Sequence, residues 1–226
     1  MLLDVLRDSN LDIIDAIVYI ISAITVIFLT MPVHEFAHAF AAYKLGDHSQ
    51  KYAGRLTINP FAHIDWFGAL CILLVGFGWA RPVQVNSYNL KNGKRDMAIT
   101  AFAGPLANLI VAFISVFLFN FVLFLSASFN FSGIYIALFF GYIAQINVSL
   151  AVFNLVPVPP LDGSKLLFAV LPDKLYYKFM QYERYIYFIL LLLVFTGFLS
   201  TPISYVSRLI LNLFSKITAV PFEFFI

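Results

Sequence analysis

Residues 13–43 read IIDAIVYIISAITVIFLTMPVHEFAHAFAAY. A helix crosses a bilayer with about 20 apolar residues, and this run exceeds that while carrying His34-Glu35-Phe36-Ala37-His38 in its second half. On a helix, two imidazoles four residues apart face the same way and are able to share one Zn²⁺. The adjacent Glu35 is placed to act as general base on a water held there. Ionisable groups inside a membrane span cost about 2.5 to 3.5 kcal/mol each on insertion scales, so three together mark a site. The competing reading is a polar patch at a helix end, because Lys44 follows His38 by about 9 Å of helical rise. Pro32, just before the motif, is expected to bend the helix and aim the imidazoles inward.

The rest of the chain has the same character. Of 226 residues, 62% are hydrophobic, 18% aromatic and only 12% charged, which excludes an ordinary soluble protein and points to an all-α polytopic membrane protein. The net charge of +2 gives no support for nucleic acid as a partner. Cys71 is the single cysteine, so an internal disulfide and a cysteine-based zinc site are excluded and any metal ligands are His, Asp or Glu. The acidic N-terminus, with Asp4, Asp8, Asp12 and Asp15 against Arg7, lacks the basic head of a cleavable signal peptide. We expect one integral membrane domain over residues 1–226, with a catalytic core at about 13–171 and C-terminal helices at about 180–220.

Further apolar stretches run Met97 to Leu125, Ile134 to Leu155, Tyr185 to about Leu199, Trp66 to Ala80 and Ile203 to Val220, giving about five to six transmembrane segments. Lys44, Lys51 and Arg55, then Arg81 to Arg95, then Lys165 to Arg184, define three basic loops that the positive-inside rule assigns to the cytoplasm. Trp66 to Ala80 is then flanked by cytoplasmic loops on both sides and is short for a span. With Gly68, Gly76 and Gly78 it is expected to form a re-entrant or β-hairpin segment near residues 66–85, covered by protein or a water-filled cavity.

A catalytic zinc takes three protein ligands and leaves one position open. Asp162 is the better candidate for the third: Pro157, Pro159 and Pro160 force the chain out of helix, and Gly163 permits an unusual backbone angle beside the carboxylate. The alternative is Asp162 as N-cap of a helix Ser164 to Leu171. His63 competes as an alternative or accessory ligand, whereas His48 lies in a polar turn. Asn108 sits beyond a small-residue stripe of Ala101, Gly104 and Ala107, where it either bonds across a tight helix interface or serves the site. Asn154, at a helix end, either donates to a substrate oxyanion or caps freed backbone.

Taken in order, His34-Glu35-Phe36-Ala37-His38, Gly104-Pro105-Leu106-Ala107-Asn108 and Asn154 through Asp162-Gly163 resemble the site-2 protease family of intramembrane zinc metalloproteases. The segments Asn59-Pro60 to Asp65, Gly78 to Val83 and Arg95-Asp96-Met97 are similar to its compact branch without a PDZ domain. The resemblance covers about Val33 to Leu171. It implies one catalytic Zn²⁺ on His34, His38 and Asp162, Glu35 as acid/base, Asn154 at the oxyanion, and a three-helix catalytic core. It also implies a transmembrane protein as substrate, cut in regulated intramembrane proteolysis or membrane protein turnover. The setting expected is the lipid bilayer of a prokaryotic cytoplasmic (inner) membrane, with the active site toward the cytoplasm. A non-catalytic scaffold for membrane helices and a small proton or metal transporter are the alternatives. The sequence leaves substrate and oligomeric state open.

Overall fold

The computed structural model describes residues 13–75 and 79–223, and among them every regular element is helical. Ile13 to Leu45 form one continuous rod: α1 (Ile13–Thr25), a wide π turn (Val26–Thr30) and α2 (Met31–Leu45). The wide turn has a local cause. Pro32 has no N–H to offer the carbonyl of Phe28, four residues back, and Met31 N–H instead reaches back five residues to Val26 O. α2 stops at Gly46, whose φ of 117° is left-handed. A Cβ at Gly46 would also come within 2.9 Å of the Asn89 carbonyl, so this turn requires glycine on two counts.

Two short helices follow, α3 (Ser49–Tyr52) and α4 (Pro60–His63), then α5 (Trp66–Val75). Residues 79–86 have no regular secondary structure and lead through one 3₁₀ turn (Ser87–Asn89) into α6 (Gly93–Phe129). The chain closes with α7 (Ile134–Asn154), α8 (Asp162–Val170), α9 (Asp173–Met180), α10 (Glu183–Phe195) and α11 (Ser200–Glu223). α6 is the central post, packed on α7, α2, α8 and α11, while α1 packs on α7.

Four stretches are long and apolar enough to cross a membrane: Ile13–Leu45, Gly93–Phe129, Ile134–Asn154 and Ser200–Phe222. Their outward faces carry exposed apolar side chains, such as Ile13, Ile17, Ile21 and Ile24 along α1. This is the surface of an integral membrane protein. One expected span, α10, falls short, and α5 is short as the re-entrant reading expects. α10 has 13 residues, or about 20 Å of helix against about 30 Å of hydrocarbon, and α5 has 10.

No strand or β-hairpin occurs near 66–85 among the described residues. α5 is helical because packing overrides its glycine: Ala69 and Ile72 bury against Tyr19, Val26 and Met31 of the first rod and Ile143 and Ile146 of α7. Gly76 and Gly78 lie outside the described residues. The chain nevertheless doubles back. Arg81 N–H donates to His63 O at 2.7 Å, and a Cβ on Gly68 would meet the Trp79 backbone carbon and nitrogen at 2.9 Å. The segment between His63 and Arg81 therefore leaves and returns at one place.

Candidate active site

The site forms where α2, α6 and the start of α8 meet. Helical spacing puts His34 and His38 on one face of α2, ring centroids 4.7 Å apart and edge to face, and both are buried. Their Nε2 atoms are 3.1 Å apart. Asp162 Oδ2 lies 2.9 Å from His38 Nε2 and 3.3 Å from His34 Nε2. Donors each about 2.0 to 2.1 Å from a tetrahedral zinc stand about 3.3 Å apart, so the triangle is close to one face of a zinc tetrahedron. Two imidazoles and a carboxylate are also the right donor chemistry, and the three form a group that could hold a metal ion.

Neighbouring helices prepare this triangle. His38 Nδ1 lies 2.7 Å from the Thr100 carbonyl on α6. Since a carbonyl only accepts, Nδ1 carries a proton, and Nε2, beside Asp162, is the nitrogen left for a metal. One turn further on, Gly104 lets α6 lie against both rings: a Cβ there would come within 2.6 Å of His34 Nε2 and closer still to His38 Nε2. His34 Nδ1 is buried with no partner among the described residues.

Asp162 is the first residue of α8; the N-cap is Leu161, and no side chain caps this end. The carboxylate is thus turned toward the histidines, and the capping alternative does not occur. The expected unusual angle at Gly163 does not occur either, because its φ is not positive. Glycine is required there for space: a Cβ would meet the Leu155 carbonyl carbon at 2.6 Å and the Leu155 and Val156 carbonyl oxygens closer still. The other oxygen of Asp162, Oδ1, accepts from Lys165 Nζ at 3.0 Å.

Glu35 is buried beside this group, its Oε2 accepting the Val83 N–H at 3.0 Å. A cavity of about 210 Å³ opens on His34, Glu35, Asp162 and Lys165. Met31, Trp79, Leu150, Phe153 and Leu161 form apolar walls together with Tyr187, Leu190 and Val194 of α10. Asn108 and Asn154 both line it; the Asn154 amide nitrogen donates back to Leu150 O at 3.0 Å. His63 is elsewhere, buried on α4 with Nε2 on the Thr57 carbonyl at 2.8 Å, so the structure does not bring it to the other three.

A polar staple outside the spans ties the end of α2 to residues 86–89. Asp47 Oδ1 accepts Ser49 N–H at 3.1 Å and Asn89 Nδ2 at 3.0 Å, while Oδ2 accepts Asn86 N–H at 2.8 Å. Burial pushes the Asp47 carboxyl up, but the bonds from Asn89, Ser49 and Asn86 outweigh it and hold the carboxyl below its ordinary range. Gln50 Nε2 adds a bond to Gln84 O. Sequence reasoning missed this staple, Lys165, the Val83 amide and the α10 wall. Only Lys165 left a readable signal, three residues after Asp162 on one helical face.

Comparison with known proteins bears on the same residues. The family model described as Peptidase family M50 matches residues 127–196, which include Asp162 and Lys165. Over 174 residues the chain is 40% identical to "Putative zinc metalloprotease YwhC" of Bacillus subtilis strain 168, covering 75% of this chain and 78% of that one. It is 33% identical over 144 residues to Rip2 of Mycolicibacterium smegmatis, described in the same words, covering 60% of this chain and 51% of that protein. The chain thus spans about half the length of Rip2. No solved structure matches it.

Proposed function

Since the chain belongs to peptidase family M50 and is a zinc metalloprotease, we propose that it hydrolyses peptide bonds within or next to the transmembrane helices of other membrane proteins. The observation that carries this reading is the convergence of His34, His38 and Asp162, with Glu35 beside them, among helices of membrane-spanning length. A purely soluble substrate would not need its protease to set these groups there. Family membership leaves the transporter alternative without support, and intact Glu35 argues against a non-catalytic, helix-binding member of the same family.

His34, His38 and Asp162 would hold the zinc. When bound, zinc acts as a Lewis acid that acidifies water and polarises a carbonyl. Glu35 takes a proton from the attacking water and delivers it to the amide nitrogen as the C–N bond breaks, giving a carboxylic acid and an amine, and the acid's remaining proton then passes to the amine to leave carboxylate and ammonium. The Val83 N–H fixes Glu35 for this role, and Asn154, and more distantly Asn108, are candidates to steady the carbonyl oxygen.

The segment after Trp79 is our candidate clamp for an unwound substrate, by strand addition. Arg81 and Val83 turn their N–H groups toward His63 and Glu35. Ala80 and Pro82, between and beside them, both line the cavity. A proline is tolerated where a strand edge lacks a partner. The return of the chain at His63–Arg81 supports reading residues 64–80 as re-entrant from the cytoplasmic side. Together with the basic loops, it favours one integral membrane protease domain in a prokaryotic cytoplasmic membrane.

The test is product mapping by mass spectrometry, with wild type and Glu35→Gln reconstituted in liposomes beside a single-span substrate. Cuts within or beside the span, absent with Glu35→Gln, are expected. Cuts confined to soluble peptides would overturn the proposal.

A further inference from the structure

Asp162 has two oxygens with different partners. Oδ2 faces both imidazoles, at 2.9 and 3.3 Å, whereas Oδ1 accepts from Lys165 Nζ at 3.0 Å. We propose that Lys165 is a positioning residue for Asp162: its ammonium occupies Oδ1 and keeps the carboxylate to one metal-facing oxygen. This rests on the assignment of Asp162 as a ligand in the preceding reading.

Carboxylates bind metals through one oxygen or through both. A second oxygen on a catalytic zinc would take up the open position that water and substrate need. Nothing in Asp162 alone prevents it. Lys165 does, because it stands three residues on along the same face of α8 and its ammonium lines the cavity. An i,i+3 pair in open water would contribute little, but the Asp162 side chain is only 10% exposed, so the bond competes with little solvent. A cation beside a dication also opposes metal binding by simple repulsion. Metal retention is therefore not what the lysine supplies; ligand geometry is.

The test uses the full-length protein loaded with Co²⁺, whose visible absorption is intense in four-coordinate and weaker in five-coordinate sites. Lys165→Met should weaken that band in the absence of any substrate. It should release metal to a chelator no faster than wild type. Removing a group that orients a metal ligand costs about 10- to 100-fold, and we expect that loss in kcat with KM held within about twofold, as for an interaction absent from simple binding. Lys165→Arg, which still donates to Oδ1, should restore both band and kcat. An unchanged band with unchanged kcat overturns the proposal, and so does faster metal loss without a change in the band. Should Lys165→Met not fold, Lys165→Gln and Lys165→Arg decide: both retain a donor and must keep the parental band, and a weakened band in either overturns it. Because the spectrum needs no substrate, failure of the intramembrane reading would leave this result standing.

Discussion

Val83 N–H donates to Glu35 Oε2 at 3.0 Å, linking the loop before α6 directly to the proposed catalytic base. A glutamine at position 35 retains an oxygen for that bond, so Glu35→Gln should keep the local structure while removing the proton acceptor. General acid–base groups contribute about 10²- to 10⁴-fold, and a loss of kcat in that range is expected. Elemental analysis should find the same zinc content as in wild type. Near-normal turnover by the purified variant would remove Glu35 from this role.

Gly104 leaves no room for a side chain above the two imidazoles. In Gly104→Ala the new methyl group must displace α6 or the rings, at the roughly 1 to 3 kcal/mol typical of overpacking. We expect zinc stoichiometry to fall while far-ultraviolet circular dichroism stays helical. His34→Ala, His38→Ala and Asp162→Ala should also lose metal, by removing a donor outright. Full zinc occupancy in Gly104→Ala would show that α6 does not press on the site, and tight zinc in Asp162→Ala would move the third ligand elsewhere.

These two cases show what was legible from sequence. His34, Glu35 and His38 could be read because a helix turns a spacing of four into one face. Asp162 was readable only as a carboxylate freed by prolines; its distance to His38 depends on how α8 packs against α6, which no local pattern encodes. Gly163 was correctly singled out for the wrong reason, since its constraint is the Leu155 backbone opposite it and backbone contact leaves no periodicity. Residues 66–85 read as a re-entrant or β-hairpin segment from Gly68, Gly76 and Gly78; Trp66–Val75 is helix because Ala69 and Ile72 pack into a tertiary cluster.

Asp47 should make the α2 staple pH-dependent. Its folded pKa lies below the ordinary 3.8, so its stabilisation is fully present above about pH 4 and is lost as pH falls through the lowered folded value. Amide exchange at Asn86, whose N–H bonds Asp47, measures this. In wild type, protection relative to Asp47→Asn should be high at neutral pH and vanish in acid. Bonds to charged groups are worth about 1.5 to 3 kcal/mol, which sets the expected difference at pH 7. Equal protection in the two proteins at pH 7 would remove the staple.

Arg81 N–H on His63 O requires both ends of the intervening segment to lie together. Single cysteines at Ser49 and Asn86, in a Cys71→Ser background, should therefore react with an impermeant thiol reagent from the same side of the membrane. Opposite accessibility would mean that residues 66–80 cross the bilayer, and the re-entrant reading would have to be abandoned.

An intact substrate helix hides its peptide bonds in its own hydrogen bonds, so it has to open before water can add. In hydrocarbon each backbone group left unpaired costs several kcal/mol, and the apolar walls of this cavity offer little relief except along residues 80–82. A rigid poly-Leu span should accordingly be a poor substrate. Glycine lowers helix stability by about 1 kcal/mol relative to alanine and proline by about 3, so either residue near the cut should speed cleavage by about fivefold or more where opening limits the rate. The comparison is a matched pair of spans differing only at those positions, in liposomes, with Glu35→Gln as blank. Equal rates for the poly-Leu and glycine-containing spans would contradict opening as the limiting step, while equal rates in detergent alone would only show that the bilayer imposes the cost.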